Sequence, residues 1–153
     1  MSVGSSAQTQ LKPVIAMHRV DTDVNLTLPA RPENVSVIRH VLGAFAEALR
    51  LPDDLVEDLR LAVTEACTNV VRHAYPPDNT GPVEISIQPL EEQVTVIVSD
   101  HGRGIGTSSD TTGPGLGLPL IAAIADVVDL QPVPGGGSRV AMTFSRQRRG
   151  DVA

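Results

Sequence analysis

Two polar residues in the stretch LAVTEACTNVVRHAY have a spacing that could support chemistry. Glu65 and Asn69 are four residues apart, so on a helix their side chains project from one face, with His73 one turn further on. The surrounding residues are small and apolar: Ala62, Val63, Ala66, Cys67, Val70 and Val71. A carboxylate beside a carboxamide is often only an exposed polar pair. On a helix that is mostly covered, however, polar groups need partners, and a cation or water can satisfy them.

These residue types favour one division of roles. Asn69 could supply a neutral oxygen to Mg²⁺, which prefers hard oxygen ligands and commonly bridges substrate phosphates. Glu65 could then accept a proton from an attacking hydroxyl group as a general base. We expect His73 to be a structural hydrogen-bonding residue rather than a ligand, and we keep it, with Arg72, as a secondary candidate.

A second candidate region, residues 100–121, is dense in glycine. Glycine costs conformational entropy on folding, so a chain that keeps it at such density needs positive φ or close approach of its backbone to a ligand. Asp100 ends a predicted strand, where a fixed carboxylate could accept a hydrogen bond from an exocyclic amine such as that of adenine. Gly102 and Gly104 would let the chain pass close to the ring.

The later glycines of this region precede an apolar helix. Backbone N–H groups at a helix N-terminus bind phosphate without a cationic side chain, so Gly113, Gly115 and Gly117 are candidates for a phosphate loop. Leu116 lies among them. The segment has neither the sequence of a P-loop nor the βαβ setting of a dinucleotide fingerprint. The stretch GGGSRV fits either a hairpin turn or a further part of the site.

Apolar periodicity predicts the elements that position these groups. We expect helices at residues 32–50, from Pro52 to the segment HAYPPDNTG, and at about 116–126, and strands at 24–28, 82–90, 92–100, 127–132 and 138–145. This order indicates an α+β fold, a two-layer α/β sandwich with helices on one face of a mixed, mainly antiparallel sheet. We expect one domain, residues 21–146, between a flexible leader (1–20) and a flexible tail (147–153).

Composition narrows the class of function. The chain has 153 residues and a net charge of −6, so it lacks the basic surface of a nucleic-acid-binding protein and better suits a basic partner. The most apolar stretch, Leu116 to Ala125, is too short to span a bilayer, which argues against a membrane protein. Cys67 is the only cysteine, which suits a buried thiol in the reducing cytoplasm rather than a disulfide.

Four motifs together resemble one known family. EACTN, DHGRG, GPGLGL and GGGS come in the order and approximate spacing of the N, G1, G2 and G3 boxes of the GHKL, or Bergerat-fold, ATPases. Within that family, LRLAVTEACTNVVRHAYPP looks most like the anti-sigma factor serine kinases. The resemblance extends from about Val24 to Phe144, which is nearly the whole chain.

The resemblance implies a role for each motif residue. Glu65 would match the catalytic glutamate, and Asn69 the Mg²⁺-binding asparagine. Asp100 would match the aspartate that reads adenine, with Gly102 and Gly104 lining the base. The remaining matches are Gly115 and Gly117 in the phosphate loop and Ser138 near the adenine.

The resemblance also implies an activity. Kinases of this type use ATP and Mg²⁺ to phosphorylate a serine on an anti-anti-sigma protein of the STAS type, and they bind a sigma factor; a homodimer is a further expectation. Between Gly106 and Gly113 only TSSDTT remains, where many relatives carry a longer lid over the phosphates. Two alternatives stay open: a regulatory module of this fold that binds partners without turnover, and a nucleotide-independent structural domain.

Overall fold

The computed structural model describes residues 23–104 and 117–147, in which five strands form one sheet and three helices cover one of its faces. The strands are β1 (Val24–Pro29), β2 (Pro82–Pro89), β3 (Gln93–Asp100), β4 (Val127–Pro132) and β5 (Ser138–Ser145). The helices are α1 (Pro32–Ala48), α2 (Asp53–Asn69) and α3 (Gly117–Ile124), and a π-helical turn, Val70–Ala74, continues α2. The predicted α+β sandwich is confirmed.

The strand pairing places two polar residues side by side at one end of the sheet. The described strands have the order β1-β2-β3-β5-β4, and each neighbouring pair is antiparallel. The last residue pair between β3 and β5 joins Ser99 to Arg139. Asp100 ends β3 and Ser138 begins β5, so these two residues follow the Ser99–Arg139 pair at the same end of the sheet.

Alternation along the strands decides which side chains enter the core. On β3 and β5 every second side chain is buried: Val94, Val96, Val98, Val140, Met142 and Phe144. Asp100 and Ser138 continue this alternation, so the pleat directs them toward the helices although both are polar. They are the two buried polar residues of the described chain, with 4% and 3% of their surface exposed. Buried polar side chains at the ends of neighbouring strands indicate a site.

Helix α2 packs an apolar stripe into the core. Its buried residues are Leu55, Leu59, Ala62, Val63, Ala66 and Cys67. The helix begins after Pro52, and the carboxylates of Asp53 and Asp54 in its first turn complement the positive end of the helix dipole. Helix α1 begins in a similar way, with a proline at its start and Glu33 in its first turn. Both predicted helices are therefore present where their end signals place them.

The end of α2 differs from the regular helix that the apolar pattern predicts. Residues Val70–Ala74 form a π-helical turn, and Tyr75 then has extended backbone. Carbonyl groups at a helix C-terminus lack partners within the helix. Here the Ala74 carbonyl accepts the N–H of Arg103 at 3.0 Å, so the loop after β3 supplies a donor. The wider turn thus ends against the loop that follows Asp100, and such turns are frequent at functional sites.

Several expectations lie outside the described residues. They concern the leader, the tail after residue 147, the short lid, and the phosphate-loop candidates Gly113, Gly115 and Leu116. Within residues 23–104 and 117–147, no helix combines the length and the apolar character needed to cross a membrane.

Cys67 provides a test of how tightly α2 is held. It has no exposed surface, and burial raises the pKa of its thiol to about 12. Because the thiolate is the reactive form, about one molecule in 10⁴ carries it near pH 8. We predict that iodoacetamide leaves the native protein unmodified and rapidly alkylates it in denaturant, as measured by mass spectrometry. Stoichiometric alkylation of the native protein within minutes would contradict this burial.

Candidate functional site

A cleft opens where the end of α2 faces the adjoining ends of β3 and β5. It encloses about 410 Å³ of empty volume, part of which is open solvent. Its polar lining consists of Asn69, His73, Asp100, Gly104 and Ser138. Its apolar lining consists of Ala66, Val70 and Ala74 on the helical side and Val98 and Val140 on the sheet. The structure therefore brings residues from three of the four predicted motifs around one cavity.

Asp100 is held in one orientation at the sheet side of this cleft. Its Oδ1 accepts a hydrogen bond from the N–H of Gly102 at 2.9 Å. This bond two residues along the chain is the local pattern by which aspartate stabilises a turn. With one oxygen engaged and the side chain almost fully buried, the carboxyl group can discriminate between ligands. A ligand without a matching donor would leave a buried acceptor unsatisfied.

Two glycines let the loop after β3 contact main chain on both sides. A Cβ at Gly102 would overlap the carbonyl oxygen of Ala74, and a Cβ at Gly137 would overlap the carbonyl oxygen of Asp100. Gly137 also has a φ of +103°, in the left-handed region that glycine favours. The segment 100–104, here named the Asp100 loop, is therefore clamped between the π-helical turn and the turn before β5.

The start of α3 lies against Asn69. A Cβ at Gly117, the first residue of α3, would lie 2.6 Å from Nδ2 of Asn69 and 3.1 Å from its Oδ1. Gly117 is buried, and α3 packs on α2. The N-terminal end of a helix carries a partial positive charge and free N–H groups. This end therefore lies next to the carboxamide that was predicted to bind a cation.

The other candidates on α2 and its π-helical turn lie at different places. Glu65 is half-buried one turn before Asn69, and of the two only Asn69 is part of the cleft lining among the described residues. His73 is exposed at the mouth of the cleft, whereas Arg72 is exposed outside it. The structure thus gives Asn69 and His73 access to the cleft, whereas Glu65, on the same helix face as Asn69, lies outside the cleft lining.

The residues at the cleft fit a Mg²⁺ ion that takes few of its ligands from the protein. Within the described residues there is no group of three or more His, Cys, Asp or Glu side chains that could hold a metal ion. An ion at Asn69 would therefore depend on one carboxamide oxygen, on water and on the phosphates of a ligand. This donor set suits Mg²⁺, which keeps several waters and is commonly bound through few protein ligands together with substrate phosphates.

Sequence reasoning did not single out the apolar wall of the cleft or Gly137. Val98 and Val140 lie two residues from Asp100 and Ser138 on the same strands, so the strand period could have identified them. Gly137 lies inside the GGGS motif, but its contact with Asp100 depends on the register between β3 and β5. No local pattern gives that register.

Comparison with known proteins identifies the class to which this fold and site belong. The chain matches the histidine kinase-like ATPase domain family over residues 28–144 and belongs to that family. Within it, a serine-protein kinase RsbW from Bacillus licheniformis is 33% identical over 150 residues, covering 88% of this chain and 94% of its own. Another RsbW, from Bacillus subtilis strain 168, is 38% identical over 135 residues, covering 78% and 83%. The expected family and the expected class of enzyme, a protein serine kinase, are confirmed.

Solved structures share the fold at lower identity. The RsbU and RsbW domains of a Mycobacterium tuberculosis protein match with a TM-score of 0.66 at 20% identity. That match covers 84% of this chain and 34% of the other. The SiaB–SiaC complex from Pseudomonas aeruginosa matches with a TM-score of 0.55 at 14% identity, covering 89% of this chain and 99% of the other. These likenesses support the architecture of the sheet and helices.

The close contact at Gly102 yields a test of the clamped loop. In Gly102→Ala the new methyl group meets a backbone oxygen that cannot move aside, so the Asp100 loop must shift. We predict about tenfold weaker binding of ADP, measured by calorimetry, with unchanged circular dichroism. Gly43→Ala on α1 is the matched control, because its methyl group meets only the flexible guanidinium group of Arg60. Equal ADP affinity of both variants would show that the contact has no bearing on binding.

Proposed function

We propose that the protein is an ATP-dependent serine kinase and anti-sigma factor, which phosphorylates an anti-anti-sigma protein of the STAS type and sequesters a sigma factor. The observation that carries the proposal is the convergence of Asp100 and Asn69 on one cleft from separate elements of the fold. One residue offers a hydrogen-bond acceptor for a base, and the other offers an oxygen for a cation. The serine kinase relatives support the same activity.

The cleft provides what an adenine base requires. Val98, Val140 and Ala66 form apolar surfaces suited to the faces of a flat ring. Asp100 lies at the edge of this apolar space, where its free oxygen accepts a hydrogen bond from the exocyclic amine. Gly104, with a φ of +82°, brings backbone without a side chain to the same edge. The base is thereby recognised by shape on its faces and by a hydrogen bond at its edge.

The phosphate end of the nucleotide is assigned to Asn69 and the start of α3. When bound, ATP would supply the γ-phosphoryl group, and Mg²⁺ would neutralise part of the negative charge of its phosphates. Asn69 would hold the cation through its carboxamide oxygen, and N–H groups at the start of α3 would donate hydrogen bonds to the phosphates. Asp100 is thereby assigned to the base end of the nucleotide, and Asn69 with Gly117 to its phosphate end.

Glu65 is assigned to proton transfer. It lies one turn before Asn69 and is half-buried, so it can face a hydroxyl group that approaches the γ-phosphate from outside the cleft. The serine Oγ bonds to the γ-phosphorus while the bond from that phosphorus to the β–γ bridging oxygen breaks, and ADP departs with that oxygen. The hydroxyl proton passes to the Glu65 carboxylate. Its place outside the cleft lining suits contact with a protein substrate.

The net charge supports protein partners rather than nucleic acid. At −6 the chain would repel a phosphate backbone and attract basic surfaces. A kinase that sequesters a sigma factor acts in the cytoplasm, and we assign the protein to that compartment. A homodimer stays a prediction.

A binding module without turnover is the second candidate. The sequence favours it in one respect, since only TSSDTT, outside the described residues, separates Gly106 from Gly113, where many relatives carry a longer lid. The two candidates share nucleotide and partner binding and differ only in phosphate transfer. Measuring transfer to the antagonist protein therefore separates them.

Asp100 yields a prediction about base selection. In Asp100→Asn the side-chain oxygen keeps the Gly102 N–H, which turns the amide NH₂ toward the exocyclic amine of adenine. Two donors then face each other, and we predict a loss of about 1–3 kcal/mol in ADP binding. IDP, which carries an acceptor oxygen at that position, should lose less affinity or gain it. Calorimetry with both nucleotides checks this, and an unchanged ADP-to-IDP ratio would remove Asp100 from base recognition.

Glu65 and Asn69 yield a prediction that separates chemistry from binding. Glu65→Gln should lower phosphate transfer to the antagonist by about 10²–10⁴-fold with unchanged ADP affinity, since it removes only a proton acceptor. Asn69→Ala should weaken Mg²⁺-dependent nucleotide binding as well as transfer. Phosphate incorporation and nucleotide affinity are measured side by side.

The control for this pair is Glu57→Gln, which makes the same chemical change at an exposed position of the same helix. It should leave both measurements as in the wild type. Transfer by Glu65→Gln at the wild-type rate would disprove the general-base role. ATP binding by the wild type without transfer to any antagonist would favour the binding module.

A further inference from the structure

The hydroxyl group of Tyr75 connects two backbone segments next to the cleft. It donates a hydrogen bond to the carbonyl oxygen of Pro82 at 2.6 Å and accepts one from the N–H of His101 at 2.8 Å. Pro82 begins β2, and His101 directly follows Asp100. Tyr75 itself follows the π-helical turn of α2. One side chain therefore joins the end of α2, the start of β2 and the Asp100 loop.

The ring of Tyr75 is fixed as well as its hydroxyl group. A Cβ at Gly81 would overlap the ring, with Cζ at 2.6 Å and Cδ1 at 3.0 Å. The ring can occupy this position only because Gly81 has no side chain. Gly81 is itself held, because its carbonyl oxygen accepts the N–H of Ala30 at 2.9 Å. The position of the phenol is therefore determined by backbone on two sides.

Tyr75 and the preceding residue, Ala74, both accept hydrogen bonds from the Asp100 loop. Ala74 accepts the N–H of Arg103, and Tyr75 accepts the N–H of His101, so alternate amide groups of the loop are held by consecutive residues. The Gly102 N–H between them goes to Asp100 itself. Three consecutive N–H groups are thus satisfied inside the protein, and the loop is ordered around the carboxyl group.

We propose that Tyr75 is a positioning residue for nucleotide binding, whose hydroxyl group holds the Asp100 loop in its binding conformation before the ligand arrives. The proposal rests on the proposed function, since it concerns the site assigned to the base. Tyr75 is not part of the cleft lining among the described residues, so it acts through Asp100. A preformed loop avoids the entropic cost of ordering at the moment of binding.

The surroundings of Tyr75 keep its hydroxyl group protonated and able to donate. Burial raises the pKa of the phenol, the His101 N–H lowers it, and the nearby carboxylates of Asp100 and Glu84 raise it. Of these two carboxylates, that of Glu84 also contacts the His101 side chain, with Nε2 at 2.9 Å from Oε1. The donor to Pro82 is therefore retained under ordinary conditions.

Tyr75→Phe tests the proposal because it keeps the ring and removes both hydrogen bonds. We expect the Kd for ADP and the KM for ATP to rise about tenfold with kcat nearly unchanged, since only binding is affected. We also expect faster amide hydrogen exchange at residues 101–104 in the free protein, with α1 unaffected. A purely structural role would lower stability throughout and leave the loop no more mobile than the rest.

A second variant and a matched control complete the experiment. Gly81→Ala keeps the hydroxyl group but displaces the ring, so it should also weaken ADP binding. Because both changes act through the same contact, the double variant should bind ADP with about the same affinity as the single variant that binds it less tightly. Thr95→Val removes a hydroxyl group that contacts the Thr143 hydroxyl at 3.1 Å between β3 and β5, and it should bind ADP normally. Wild-type affinity and loop exchange in Tyr75→Phe would overturn the inference. Failure of the wild type itself to bind ADP would instead overturn the proposed function.

Discussion

The burial of one carboxyl group, that of Asp100, is the constraint on which the site depends. Strand alternation directs this side chain into the layer between sheet and helices, where a polar group without partners is costly. The protein meets part of this requirement with a local turn, in which Oδ1 accepts the Gly102 N–H. The glycines at 102 and 137, the register of β3 with β5 and the end of α2 together enclose this group.

Helix α2 links the stability of the fold to its chemistry. One face supplies core residues such as Leu59 and Cys67, and the adjoining face carries Glu65 and Asn69. Because the same helix is packed on the sheet and on α3, the two polar side chains are placed by the core rather than by a mobile loop. The π-helical turn then directs the chain against the loop after β3, so the residues proposed as proton acceptor, cation ligand and base acceptor share one rigid frame.

Much of this arrangement was accessible from the sequence, for identifiable reasons. Periodicity and end signals predict α1, α2 and the strands, because proline and acidic residues mark the helix starts and alternation marks β2 and β3. Type and spacing indicated Asn69 and Asp100 as candidates, the family resemblance indicated Ser138, and the structure places all three along one cleft. The π-helical turn was not predicted, since its geometry depends on the contact of Ala74 with a loop distant in sequence. The two hydrogen bonds of the Tyr75 hydroxyl group were not predicted either, because its partners Pro82 and His101 become neighbours only after folding.

The clamp around the Asp100 loop also limits how this chain can change over evolutionary time. Its contacts at Gly102 and Gly137 are with carbonyl oxygens of the main chain. A larger residue at either position cannot be compensated by shortening a neighbouring side chain, because the obstacle is backbone that every residue possesses. His101 and Arg103, which are exposed, face no such restriction. Divergence of sequence at residues 101–104 is therefore expected to alternate, with variable positions separated by invariant ones.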